Sequence, residues 1–230
     1  MQQNYAIPVA IVLAGALIAG AVYLAYQGST GTTTQKETGD VSAMRPVGLD
    51  DHIVGNPDAP VVIVEYSDFE CPFCKGFHST VQQIINEYGK DGKVAWVYRH
   101  FPLDQLHSKA RKEAVAAECA NELGGNDAFW KYANRFFELT PSNDQTDIAT
   151  VLPKIAREIG LDEAKFSSCL SSGKYDSRIQ SDLDNAIASG GQGTPFSIVL
   201  VEGQDPTPVS GALPYEQMKQ LIEAALAAAE

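Results

Sequence analysis

Basic residues are scarce in this chain. Its 230 residues carry 17 Lys and Arg against 29 Asp and Glu, a net charge of −12. A nucleic-acid partner needs a basic footprint to neutralise its phosphates, so this balance argues against that class. Lys36, Glu37, Asp40 and Arg45 cancel one another, and the acidic excess belongs to the residues beyond position 47. It serves solubility more than recognition. Cysteine is scarcer still, with four in all. At 44% apolar residues the chain can build a core without covalent staples. No internal repeat is present, and the length suits one domain with an insertion or two small ones. A second Cys-x-x-Cys is also missing, which argues against a four-cysteine zinc site.

The first 35 residues contain no Lys or Arg. Residues 6–26 carry no charge at all, and as a helix they would span about 31 Å, close to a bilayer core. Tyr5, Tyr23 and Tyr26 fall at the two ends, where interfacial aromatics sit. A cleaved signal peptide would need a basic start and a small-x-small site after the apolar run, and both are lacking. The expectation is a short tail (1–5), a single transmembrane anchor (6–26) and a flexible Gly/Ser/Thr-rich tether (27–47).

What is present is concentrated in one stretch, Glu65-Tyr66-Ser67-Asp68-Phe69-Glu70-Cys71-Pro72-Phe73-Cys74. The β-branched run Val61 to Val64 before it predicts a buried strand. After it, Phe77, Val81, Ile84, Ile85 and Tyr88 recur at helical spacing from Lys75 to Tyr88. Cys71 therefore sits at the start of a helix, whose first N–H groups are unpaired and whose dipole is positive there. A thiolate at that position is stabilised, so the Cys71 pKa should fall. Pro72 suits the first helical position. Cys74, one turn on, lies on the same side, and the motif offers an exposed nucleophilic sulfur with a resolving sulfur behind it. A different class of reading is a metal-binding module using Cys71, Cys74 and His78, four residues further on. Glu65, at the end of the strand, is either an exposed strand-end carboxylate or a buried acid that passes protons to and from Cys74.

Further along, Asp51 to Pro57 predicts a short strand and a turn, and Lys93 to Phe101 alternates as a strand. Five helices without a strand follow: 106–123, closed by Gly124-Gly125, then 127–139, 148–159, 162–170 and 175–189. Such a set makes a bundle laid over a core. Phe129, Trp130, Phe136 and Phe137 belong either to its core or to a substrate groove. Cys119 and Cys169 fall in the first and fourth of these helices. In a reducing cytosol they would be buried free thiols; the anchor and the CxxC point instead to an oxidising compartment and a structural disulfide. The glycine-rich run Gly190 to Gly193 leads into Thr194-Pro195 and a strand, Phe196 to Val201. An edge strand (209–212) and a last helix (214–229) complete the chain.

The runs GNPDAPVVIVEYSDFECPFCKGF and YRHFPLDQLHSKARKEAVAAECA resemble the DsbA-like thiol–disulfide oxidoreductases, in particular their membrane-anchored branch. The similarity runs from about Asp51 to the C-terminus and includes the CPxC junction, the His-Phe-Pro-Leu turn and the later Gly-Thr-Pro. It implies an α/β, thioredoxin-like fold with an inserted helical domain: core residues 48–105 and 190–230, insertion 106–189. It implies that Glu65 is the buried acid and that Thr194-Pro195 is the cis-proline loop packed against the CxxC, its backbone free to pair with an extended substrate. One departure is Phe73, where strongly oxidising members carry His; a phenyl ring cannot donate a hydrogen bond to a thiolate.

The function implied is disulfide donation from Cys71–Cys74 to cysteine-containing proteins, on the extracytoplasmic side of a cell membrane that a single N-terminal helix spans. It calls for no cofactor and for a membrane redox partner that reoxidises the pair. Reductase or isomerase activity with the same cysteines is the alternative within this chemistry.

Overall fold

The computed structural model describes residues 39–229. The expected anchor, residues 6–26, lies outside them, as does the start of the tether. Among the described residues, no helix is long and apolar enough to cross a membrane.

Five strands form one sheet: β1 (His52–Val54), β2 (Val61–Ser67), β3 (Val94–His100), β4 (Phe196–Val201) and β5 (Thr207–Ser210). Their order is β1-β3-β2-β4-β5. β2 and β3 run parallel, and every other pair is antiparallel. The β-branched run thus forms the central strand, buried on both faces. Its side chains alternate as a pleat requires. Val61 and Ile63 join one core with Trp96, Phe77, Val81, Ile84, Met218 and Ile222. Val64 and Tyr66 join a second core with Val97, Phe196, Ile198 and Ala186. Glu65 has the parity of Val61 and Ile63, so the pleat aims its carboxyl at the first core.

The helices are α1 (Pro72–Ile84), α2 (Ala110–Leu139), α3 (Ile148–Glu158), α4 (Glu163–Leu170), α5 (Asp176–Ala188) and α6 (Tyr215–Ala228). α1 packs on α6, while α2, α3 and α4 pack on one another. The expected five-helix bundle is therefore incomplete. α5 also packs on β2 and β3, and its Ala186 lies in the second core. Its apolar residues are shared between the insertion and the sheet.

Several boundaries differ from expectation for identifiable reasons. The first inserted helix starts at Ala110, not at Leu106, because residues 102–109 turn instead. The N–H groups of Leu106 and His107 both donate to the Leu103 carbonyl. Asp144, from a loop far along the chain, then accepts from the N–H groups of Ser108 and Lys109. The Gly124-Gly125 stop does fall where expected: Gly125, at φ 72° and ψ −173°, is non-helical and divides Ala110–Leu139 into two helical stretches. α1 passes into a π turn, Ile85–Gly89, which carries the helical period on to Tyr88. The edge strand lies at Thr207–Ser210, two residues before the expected start.

The tether also ends earlier than expected. Val41, Met44 and Val47 pack against the second core. Arg99, fully buried on β3, donates to both oxygens of Asp51 at 2.9 Å and to the Arg45 and Pro46 carbonyls. The segment's last residues thus belong to the folded domain.

Cys119 on α2 and Cys169 on α4 are joined by a disulfide across 50 residues, with Cα atoms 5.8 Å apart. Cys119 is fully buried. A loop of that length confines the unfolded chain by roughly 4 kcal/mol in the chain-entropy account. Cys119→Ala combined with Cys169→Ala should cost about 2–5 kcal/mol of stability, read by denaturant melts, and leave the chemistry of Cys71 unchanged. A loss under 1 kcal/mol would mean that the bridge does not hold these helices.

Candidate functional site

The site forms where β2 ends and α1 begins. Asp68, Phe69 and Glu70 make the turn. Phe69 anchors it, buried between Phe136 and Phe137 of α2 with ring centroids at 5.0 and 5.1 Å and with Tyr98 at 5.4 Å. Phe129, Phe136 and Phe137 are buried as core, while Trp130, also buried, edges a pocket with Gln82, Asn86 and Asn134. Cys71 follows as the N-cap of α1, in extended conformation, with Pro72 at the first helical position. Its own N–H donates to the Asp68 carbonyl at 3.2 Å, and its carbonyl accepts from the Lys75 N–H at 3.1 Å.

The sulfur of Cys71 is not exposed, which corrects the sequence reading. The residue is 3% accessible, while Phe73 beside it is 67% accessible. The cover comes from the loop that leads into β4, the strand beside β2. The Thr194–Pro195 bond is cis, and the Cys71 Sγ lies 3.5 Å from the Thr194 carbonyl oxygen, to which its thiol donates. The glycines before it permit this approach. Gly190 holds φ 100°, and a Cβ on Gly191 would stand 2.9 Å from both the Ala186 carbonyl and the Phe196 ring.

The two sulfurs have opposite electrostatics. Both are thiols in this structure. A hydrogen bond from Cys74, with further donors in the first turn, lowers the Cys71 pKa to about 6 in spite of burial. Cys74 is completely buried, and that burial, together with the Cys71 charge, pushes its pKa well above the usual thiol value. It accepts one hydrogen bond, from the Asp68 N–H at 3.4 Å.

Glu65 lies beneath the pair and is fully buried. Its Oε2 accepts from Trp96 Nε1 at 2.9 Å. Burial raises its pKa to about 7, with the Cys71 charge adding to the rise. A carboxyl with that pKa exchanges its proton readily at neutral pH.

His78 stands apart from the cysteines in its bonding. It is buried on α1, hydrogen-bonds Asn134 Oδ1 at 2.8 Å and packs on Trp96 and Phe137. Burial lowers its pKa to about 4. Among the described residues, the ligand atoms of His, Cys, Asp and Glu converge in one group of three, His52, His100 and Glu118. Cys71, Cys74 and His78 do not converge, so the metal-module reading finds no site. The His52 group has no room for a cation either, because Arg178 Nε donates at 2.7 Å to the same Glu118 oxygen that both imidazoles contact.

The sequence reading missed the residues that shape the turn. Asp68 is 1% accessible, and its carboxylate accepts from the N–H groups of Glu70 and Leu103 and from His107 Nδ1, at 2.8, 2.8 and 2.9 Å. Glu70 and Glu113 form a second buried pair. Burial and the neighbouring Glu70 raise the Glu113 pKa to about 10, so it is neutral at physiological pH. The available signal was the unusual density of Asp, Glu and His in Asp68-Phe69-Glu70 and His100 to His107.

A thioredoxin family model matches residues 49–224. Among curated proteins, the Na+/H+ antiporter NhaA 3 of Salinispora tropica is 37% identical over 162 residues, 70% of this chain. The chain spans only 23% of that antiporter's length, and ion transport does not carry over with the match. Among solved structures, DsbA2 of Pseudomonas aeruginosa superposes with a TM-score of 0.66 at 26% identity, over 78% of this chain and 96% of its own. The α-DsbA1 of Wolbachia pipientis gives 0.71 at 22% identity, over 83% and 97%. The chain belongs to the thioredoxin family, and its sheet with the helical insertion is that of the DsbA-like thiol–disulfide oxidoreductases.

Proposed function

We propose that this protein is a thiol–disulfide oxidoreductase that donates the Cys71–Cys74 disulfide to cysteine-containing proteins outside the cytoplasm. The observation that carries the reading is the asymmetry of the two sulfurs, one with its pKa lowered to about 6 and the other raised. In the oxidised form, a substrate thiolate attacks Cys71 Sγ, the Cys71–Cys74 bond breaks, and Cys74 leaves and takes a proton. A second substrate thiolate then attacks the substrate sulfur of the mixed disulfide. Cys71 departs as a thiolate, and the low pKa makes it a good leaving group. Two electrons pass from substrate to the pair, and a membrane redox partner would remove them again.

Two further residues have roles in this scheme. Glu65 is the proton carrier for Cys74, which needs one because it is sealed from solvent. Thr194, beside Cys71, would pair its backbone with an extended substrate segment, and Pro195 keeps that backbone turned toward the sulfur. The Cys119–Cys169 bridge supports an oxidising compartment, and residues 6–26 would tether the domain to a membrane there.

Cys71→Ser should abolish disulfide transfer to a reduced, unfolded model protein. Cys74→Ser should retain attack through Cys71 and accumulate mixed disulfides, seen as adducts on non-reducing gels. Normal transfer by Cys71→Ser would contradict the mechanism.

Glu65→Gln separates rate from stability. Removing the carrier should slow exchange at pH 7 by about tenfold or more. The folded pKa of about 7 exceeds the ordinary 4.5, so the folded state keeps a proton that the unfolded state gives up between those values. Wild-type stability therefore falls as pH rises from 4.5 to 7, by on the order of 3 kcal/mol. Gln cannot ionise, so Glu65→Gln should be the more stable protein at pH 8 in denaturant melts while remaining the slower one. A variant that is as fast as wild type at pH 7 would remove Glu65 from the proton path.

A further inference from the structure

The first turn of α1 brings little charge to Cys71. Pro72 and Phe73 are apolar, no side chain caps the helix, and the Lys75 ammonium is held by the Thr140 carbonyl at 2.5 Å. A buried, hydrogen-bonded pair of titratable groups is anchored in the preceding turn. Asp68 touches both cysteines through its backbone, accepting from the Cys71 N–H and donating to Cys74 Sγ. Its side chain is 99% buried and bonds His107 at 2.9 Å. An isolated carboxylate so deep would be heavily penalised, and the imidazole is the one titratable donor bonded to it among the described residues.

We propose that Asp68 and His107 are a positioning pair for disulfide exchange: Asp68 fixes the turn that carries Cys71 and holds His107 as an imidazolium whose charge stabilises the departing Cys71 thiolate. The proposal rests on the exchange chemistry above and names a residue that adds to its driving force. In the resolving step, the substrate sulfur forms its new bond, the Cys71–substrate bond breaks, and the electron pair stays on Cys71 Sγ. The proton of His107 remains on the imidazole throughout, so the pair contributes charge and exchanges no atom.

The surroundings of His107 are consistent with a cation. Burial alone would lower its pKa, but the Asp68 hydrogen bond and charge, then the charges of Cys71 and Asp144, raise it above the ordinary value. Asp144 reaches this place from the loop between α2 and α3 and is itself bound by Lys109 through its backbone carbonyl. Glu113 on α2 is neutral and adds no charge. Coupling between two titrating groups is reciprocal: if the thiolate favours the imidazolium, the imidazolium favours the thiolate equally.

His107→Gln keeps a hydrogen-bond donor for Asp68 and loses the charge. In the reduced full-length protein, the thiolate fraction of Cys71 at pH 6, read by absorbance at 240 nm, should fall roughly threefold, and exchange should slow most on the acid side of its pH profile. The second measurement needs no change at position 107. Followed by NMR, the His107 ring should titrate at lower pH in Cys71→Ser than in the reduced wild type. A Cys71 titration that is unchanged in folded His107→Gln, or a His107 titration that is the same with and without the Cys71 sulfur, would overturn the pairing even in a protein that exchanges disulfides normally. A wild type that transfers no disulfide would instead overturn the reading on which the pairing stands.

Discussion

The structure depends on placing one sulfur at a helix N-terminus inside the protein. Cys71 caps α1, where unpaired N–H groups and the positive end of the dipole face it. Burial opposes ionisation of any thiol, yet here hydrogen bonds, first that from Cys74, win for Cys71, and burial wins for Cys74 one turn deeper. That difference exists only while the turn before Cys71 and the loop over it hold their positions. Phe69 secures the turn against the insertion, and the cis Thr194–Pro195 loop secures the cover. The helical insertion therefore has a mechanical role at the site, since it supplies the aromatic wall behind the turn.

Polar groups buried around this core are paired in a way that ties distant segments together. Arg99 joins the residues before β1 to β3 and reaches the Tyr66 hydroxyl at 3.0 Å. Glu118 gathers His52 from β1, His100 from β3 and Arg178 from α5 onto a single oxygen. Burial would raise the Glu118 carboxyl, but the bonds from His100 and His52 hold it well below the usual range. Breaking one partner of such a buried group leaves an uncompensated charge, which costs several kcal/mol. These hubs fix how the insertion sits on the sheet, and hence where Phe136 and Phe137 meet Phe69.

Much of this was legible in the sequence wherever the signal was local. The β-branched run, the Cys-Pro-x-Cys at a strand-to-helix junction and the glycine-rich approach to Pro195 each have a short-range physical cause. The helical period of α1 was equally plain. Long-range pairing was not legible. The start of α2 is set by Asp144, which lies more than thirty residues downstream and caps Ser108 and Lys109. The burial of Cys71 is set by Thr194, separated from it by 123 residues. Gly124-Gly125 reads as a stop because glycine tolerates φ > 0, and Gly125, at φ 72° and ψ −173°, does break the helix there. Asp68 and His107 carried no motif; their importance comes from a contact across the turn that no spacing rule predicts. Glu65 was ambiguous between surface and interior until the parity of β2 placed it with Val61 and Ile63.

The direction of electron flow is the centre of this account. A Cys71 pKa of about 6 stabilises the reduced form, and the proposed direction, donation of the disulfide, rests on that stabilisation. Thioredoxin, with a cysteine pKa near ~7, has a potential of about −270 mV, and DsbA, near ~3.5, about −120 mV. The equilibrium potential of the Cys71–Cys74 couple in glutathione buffers tests the claim directly. The account predicts a value between those two and less negative than about −220 mV, so that the disulfide is donated to substrates. A value at or below about −270 mV would contradict it and make this protein a reductant.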